Sequence, residues 1–283
     1  MSIPLSALLR RYAIALLLGS MAGALWAQDE GMQAFKAVFA GNKLTGLEQL
    51  IARHQRSGEP FPIDPMGGAT VLHKAIHLGA GEPALQRLLD AGLDPNARTS
   101  DDAETPLHFA ARFGCGPCAR LLIARGAHIA ALDAEGRQPI HMAGYAAVEA
   151  LLDGGADPLV TDPRGNVPLH TVFHPRLLVA GVNVRNQGGL TPLHFAALHD
   201  SVRGIDWLLA HGADPQLRTT APYRYRAPIM SRAFGPGEPL AVGARPLDLA
   251  RQRAEATAWN LQSHKHSVAR LEAVTKTRWL GLW

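Results

Sequence analysis

Hydrophobic and polar positions along this chain fall into short helical stretches that recur. Leu107, Ala110 and Ala111 form a narrow apolar face at helical spacing. Thr105 opens that stretch as a cap, and Pro106 takes the first helical position, where a missing N–H costs nothing. Gly114 closes it. A second stretch carries Leu121, Leu122 and Ile123, and Gly126 ends it in a place suited to left-handed backbone. Ala127 to Arg137, with its Asp133-Ala-Glu-Gly136 turn, reads as a hairpin finger leading onward. The predicted unit is therefore helix, turn, helix, finger.

The unit repeats. Thr-Pro-Leu-His followed by Phe-Ala-Ala occurs at Thr105 and again at Thr191, with near copies starting at Thr70, Gln138, Val167 and Arg245. Its second half recurs as a Leu or Ile pair with glycine three residues on, at Gly126, Gly155, Gly181 and Gly212. Thr105 to Gln138 is 33 positions. In spelling and period the chain resembles the ankyrin repeat family over roughly residues 70 to 252. That resemblance implies an all-α solenoid of stacked helix-turn-helix units with hairpin fingers, about five to six repeats plus caps. One unit cannot bury its own apolar face, so stability comes from stacking.

The expected division follows from these markers. A cap and linker occupy 28–69, with one helical face at Met32, Phe35, Val38 and Phe39 and another at Leu47, Leu50 and Ile51. Repeats run over 70–104, 105–137, 138–166, 167–190 and 191–244, and a capping repeat over 245–283. The third and fourth units are shortened, and the distance from motif to glycine places the loss in their helices. The fifth keeps full-length helices but carries 21 extra residues in an enlarged finger at 219–243. Tyr223, Arg224, Tyr225, Arg226, Met230, Arg232 and Phe234 lie there among four prolines, the composition of a contact surface.

The first 27 residues stand apart. Arg10 and Arg11 precede an apolar run from Tyr12 to Ala27 that ends in small residues, the pattern of a secretory signal with cleavage after Ala27. The alternative is an uncleaved inner-membrane anchor, for which the run is short. None of the six asparagines begins a glycosylation sequon, and two cysteines make no disulfide framework, so the expected compartment is a bacterial periplasm. The formal charge of +4 divides unevenly: residues 28–215 carry −5 and residues 216–283 carry +7. An exported chain rarely meets nucleic acid, so an anionic protein or lipid headgroups are the expected counterparts of the basic quarter.

Candidate chemistry is sparse. Cys115-Gly-Pro-Cys118 is spelled like a thiol-disulfide oxidoreductase site, yet no strand pattern surrounds it, and a local disulfide is the plainer expectation. His73, His108, His141, His170 and His194 all take the fourth motif position. The resemblance implies that they tie adjacent repeats through backbone hydrogen bonds. They would lie about one repeat, roughly 10 Å, apart, too far to share a zinc ion. No nucleophile elbow, phosphate loop or His-Glu-X-X-His motif occurs. The expectation is a non-catalytic module without cofactor, metal or small-molecule substrate. It binds one protein partner as an inhibitor, immunity protein or accessory protein, through the enlarged finger and through Asp133 and Glu135. The alternative is an oxidoreductase using Cys115 and Cys118.

Overall fold

The computed structural model describes residues 44–58, 61, 63, 68–224, 239–256 and 265–279. The export segment 1–27, the face of Met32, Phe35, Val38 and Phe39, and the finger residues Tyr225, Arg226, Met230, Arg232 and Phe234 lie outside the described residues. The first half contains α1 (Leu44–Ser57), α2 (Val71–His77), α3 (Gly81–Asp90), α4 (Pro106–Arg112) and α5 (Gly116–Ala124). A 3₁₀ turn at Pro139–Met142 precedes α6 (Tyr145–Asp153), and further 3₁₀ turns lie at Pro168–His170 and Pro175–Ala180. Then come α7 (Pro192–Leu198), α8 (Val202–Ala210), β1 (Tyr223–Arg224), β2 (Pro239–Leu240), α9 (Pro246–Ala256) and α10 (Lys265–Trp279).

The elements stack in two rows. Helices α2 and α4, the turns at 139 and 168, α7 and α9 form a continuous inner row. Helices α3, α5 and α6 back it at one end, and α8 and α10 at the other. Between the rows lies a thin core of leucine and alanine, from Leu47 through Leu107, Leu122 and Leu151 to Leu177, continued by Leu193, Leu208 and Leu271. Alanines at Ala110, Ala111, Ala196 and Ala197 are fully buried, which lets neighbouring helices approach closely. Among the described residues no helix is long and apolar enough to cross a membrane.

The motif histidines join the units. In the second unit His108 Nδ1 accepts the Thr105 backbone N–H at 3.2 Å and lies 2.9 Å from Thr105 Oγ1. A nitrogen that accepts an N–H carries no proton, so the ring proton sits on Nε2 and is donated to the Arg137 carbonyl of the next unit at 3.1 Å. His73, His170 and His194 repeat this, donating to the carbonyls of Glu104, Leu190 and Ala244 at 3.0, 3.2 and 3.2 Å. His141 is the exception. Its Nδ1 accepts from Gln138, but its Nε2 is buried without a hydrogen-bond partner.

That exception falls in the trimmed region. Units that begin with threonine form an α-helical first element. Units that begin with Gln138 or Val167, which have no hydroxyl to place beside the histidine ring, form only a 3₁₀ turn there. In unit 138–166 the shortening falls on the first element alone, because α6 keeps nine residues, as α5 does. In unit 167–190 both elements are 3₁₀ turns. Phe173 then fills the space left by the missing helix: a Cβ at Gly204 would lie 2.3 Å from its ring, so α8 accepts it only through a glycine.

Each finger is closed by one backbone hydrogen bond across its base. The pairs are Thr99 to Glu104, Asp133 to Arg137, Asp162 to Asn166, Asn186 to Leu190 and Thr219 to Ala244, with N–H···O distances of 2.9 to 3.0 Å. Three residues separate the members of the second pair, while twenty-four separate Thr219 from Ala244. The whole insertion therefore lies inside an otherwise ordinary finger. Its stem is the antiparallel ribbon pairing Tyr223 with Leu240 and Arg224 with Pro239.

Burial holds His73, His170 and His194 at pKa values of about 4, and lowers His108 and His141 from the ordinary value. The unfolded chain therefore takes up protons first as pH falls through 6.5. Stability should be complete above that pH and decline as pH drops toward 4, before most carboxylates titrate. Urea midpoints measured from pH 7 to 4 check this; a flat profile to pH 4.5 would remove the ladder as the acid-sensitive element. His108→Ala should cost ~1–3 kcal/mol through its unpaired neighbours, and His141→Ala less, because the His141 ring lacks the close Nε2 bond that His108 makes to the next unit. Equal losses in urea unfolding would contradict that ranking.

Candidate partner-binding groove

The exposed side of the inner row forms the candidate surface. Motif positions outside the apolar face point there, and in the first two units they hold Lys74, His77, Leu78, Phe109, Arg112 and Phe113. Leu78 is 49% exposed and Phe113 39% exposed. The His77 ring meets Phe113 edge-on with centroids 4.9 Å apart, His73 meets Phe109 the same way at 4.9 Å, and Phe109 and Phe113 lie 6.0 Å apart. The Arg112 guanidinium sits over the Phe109 ring at 5.6 Å, pairs with the buried carboxylate of Glu104, and approaches Met142 Sδ at 3.7 Å. Burial lowers the Arg112 pKa from its ordinary value, and the Arg137 charge adds to that. The floor thus consists of apolar surface crossed by two cations, Arg112, which is paired with Glu104, and Lys74.

The groove is open over the early units and walled off later. Phe195 holds the same motif position as Phe109, yet it is only 4% exposed. The ring of Tyr223 meets it edge-on at 6.2 Å, and Leu240 joins the same buried cluster with Leu190, Leu198 and Leu249. The ribbon stem therefore folds over the inner row and ends the accessible floor there.

Two expected contact residues have other tasks. Tyr223 is 7% exposed, and its hydroxyl accepts a hydrogen bond from Asn166 Nδ2 at 3.2 Å. Its side chain crowds Gly188, where any Cβ would come within 2.8 Å of it. Tyr223 anchors the enlarged finger and is turned away from any partner. Asp133 is 5% exposed; its Oδ1 accepts the N–H groups of Glu135 and Arg137 at 2.9 and 2.8 Å, and its Oδ2 pairs with the Arg137 guanidinium. It closes its finger from within. Glu135 remains part-exposed at the tip, 3.1 Å from Arg137 Nη1. Arg224 lies in β1 at the mouth of the insertion.

Cys115 and Cys118 form a disulfide. Cys115 caps α5, its Sγ accepting the Cys118 N–H at 3.2 Å, while Cys118 is 2% exposed within the core. The bridge lies in a corner without slack: Cβ atoms on Gly116 and Gly144 would come within 2.6 and 2.8 Å of the Ala146 carbonyl oxygen and the Gly114 Cα. It staples one turn to a helix at a close approach between two units.

The groove residues Leu78, Phe109, Arg112, Phe113 and Met142 were not singled out from sequence. Their signal was available as the large side chains at the fifth, eighth and ninth positions of the first two units and the fifth of the third.

The family described as ankyrin repeats matches residues 32–133, 72–162 and 144–219. SH3 and multiple ankyrin repeat domains protein 1 of Homo sapiens is 42% identical over 104 residues, 35% of this chain and 5% of that protein. Rabankyrin-5 of Homo sapiens is 30% identical over 151 residues, 50% of this chain and 11% of that protein. The chain thus spans only a small part of the length of these relatives. The crystal structure of the ankyrin repeat domain of Bcl-3 has a TM-score of 0.49 and 25% identity, covering 65% of this chain and 88% of that one. With three matching copies over two-thirds of its length and the same unit repeated along its stack, this chain belongs to the ankyrin repeat family, whose members are generally non-catalytic modules for binding other proteins.

Proposed function

We propose that this chain is an exported binding protein that holds one protein partner in the periplasm, acting as an inhibitor or immunity protein or as an accessory to that partner. The observation that carries the binding assignment is the open aromatic floor of Leu78, Phe109 and Phe113, apolar surface that a monomer gains nothing by exposing. The enlarged finger, from Arg224 through Tyr225, Arg226, Met230, Arg232 and Phe234, is the second contact. Its described stem, the ribbon of Tyr223–Arg224 and Pro239–Leu240, lies at the closed end of the groove. The location rests on Arg10-Arg11, the apolar run after them and a Cys115–Cys118 bridge suited to an oxidising compartment.

The two roles differ in what happens to the partner. If the partner is an enzyme or toxin whose activity falls on saturation with this chain, the role is inhibition; unchanged or raised activity makes it accessory. Capture from periplasmic extract should succeed with the native chain and fail with Leu78→Ala/Phe113→Ala at unchanged melting temperature. Capture by that variant as efficient as by the parent overturns the groove as the binding surface. Deleting 225–238 with a glycine bridge spares Tyr223 and Leu240, and should weaken binding at least tenfold without altering the melting transition.

N-terminal sequencing of protein from fractionated cells should find Gln28 first, in the periplasmic fraction. Intact Met1 in soluble cytoplasm overturns export, and intact Met1 in the inner-membrane fraction makes the segment an anchor. Replacing Cys115 and Cys118 with serine should leave capture intact and cost roughly 2 kcal/mol or less, because the closed loop is short. The native chain should not accelerate insulin reduction by dithiothreitol; a catalytic rate lost in the serine variant would make it an oxidoreductase.

A further inference from the structure

One stretch of the inner row already carries an occupant, supplied by the chain itself. Phe195 and Phe109 hold the same position in their units, and each ring stands edge-on to the motif histidine of the unit before it, His170 at 5.3 Å and His73 at 4.9 Å. The two rings are presented in the same pose. Over Phe195 lies the ribbon stem: Tyr223 meets the ring edge-on at 6.2 Å, and Leu240, its partner across the ribbon, is buried in the same cluster with Leu198 and Leu249. One aromatic and one aliphatic side chain, each from its own strand, thus close that surface, and both are only 7% exposed.

Counting along the motif transfers this floor to the open units. Leu249 is the fifth residue of the unit that follows Phe195, as Met142 is of the unit that follows Phe109, and Leu198 and Arg112 are the eighth residues of their units. Phe109, Arg112 and Met142 therefore repeat the arrangement of Phe195, Leu198 and Leu249 with nothing of the chain's own ribbon above it. One member differs in kind. The Arg112 guanidinium lies over Phe109 at 5.6 Å and 3.7 Å from Met142 Sδ, held by Glu104, and a guanidinium plane stacks with aromatic rings where Leu198 packs with aliphatic ones. The ninth position adds the exposed ring of Phe113 where the covered unit has His199.

Resting on the groove as the partner site, we propose that the floor of Phe109, Met142 and Phe113 receives a β-hairpin of the partner protein that presents an aromatic side chain directly opposite an aliphatic one. The aromatic ring meets Phe109 and the Arg112 plane as Tyr223 meets Phe195, and the aliphatic side chain rests on Met142 and Phe113. A hairpin suits the place because residues directly opposite on its two strands point to one face, while its own ladder satisfies much of its main chain.

The test is selection of a disulfide-closed β-hairpin library, randomised along one face, on the full chain, followed by titration of the synthetic winners. The expected winners place Tyr, Phe or Trp opposite Leu, Ile or Val. They should weaken about tenfold or more on Phe109→Ala and clearly on Met142→Ala, the range typical of a buried aromatic anchor and its neighbour. Melting temperatures verify that each variant is folded. Winners without the aromatic and aliphatic pair, winners with it that are indifferent to both variants, or a selection without winners overturn the proposal. Leu78→Ala/Phe113→Ala separates the two readings. Winners of another composition that are lost on that variant keep the groove and discard the hairpin rule; winners indifferent to it and to Phe109→Ala discard the groove as well.

Discussion

A single neutral imidazole, bonded at both nitrogens, is the constraint on which the stack depends. Its bare Nδ1 satisfies the N–H at the start of its own helix, and its protonated Nε2 reaches the carbonyl that ends the following finger. One side chain therefore fixes a helix start and the spacing to the next unit together. The first of these bonds does not tolerate a second ring proton, because an Nδ1–H would face the N–H it now accepts. The thin leucine and alanine core supplies burial but little shape specificity, so orientation between units falls largely to these polar bonds.

The fingers obey a related rule with different residues. A threonine, aspartate or asparagine at the base turns its oxygen inward to backbone N–H groups, as at Thr99, Asp133, Asp162, Asn186 and Thr219. Between them Asn166 and Asn186 are bonded to one another at 2.8 Å, and Asn166 also donates to Tyr223, so three successive fingers share one buried polar chain. The interaction surface is built on this rigid edge and on the inner row beneath it. Below these bonds, the apolar side chains of Leu78 and Phe113 stay exposed on the inner row.

Most of the fold was legible because the unit is local. Thr105, Pro106 and His108 act within three residues of one another, and Gly126 ends the next helix at a fixed spacing of 21 positions, so their spacing carries their meaning. The position of the insertion was legible too, since counting from glycine to motif needs no coordinates. Roles set by distant neighbours were not. Tyr223 looks like a contact residue until Asn166, fifty-seven positions earlier, takes its hydroxyl, and Asp133 looks like an exposed acid until its own finger closes around it. The shortened units showed the same limit: the sequence count placed the loss in the helices of unit 138–166, while packing decided that α6 stays whole and the first element shrinks to one 3₁₀ turn.

The hydrogen bond from Thr219 to Ala244 has a consequence for how such a chain can change. It is the same bond that closes a finger with a three-residue tip, and here it closes one eight times longer. Loop-closure entropy grows only with the logarithm of length, so three doublings cost roughly 2 kcal/mol. The flanking helices register none of the difference. The finger base therefore acts as a socket, and foreign sequence can be accepted at one tip without renegotiating the stack. New binding specificity can arise there by insertion in one step, ahead of any substitution in the groove.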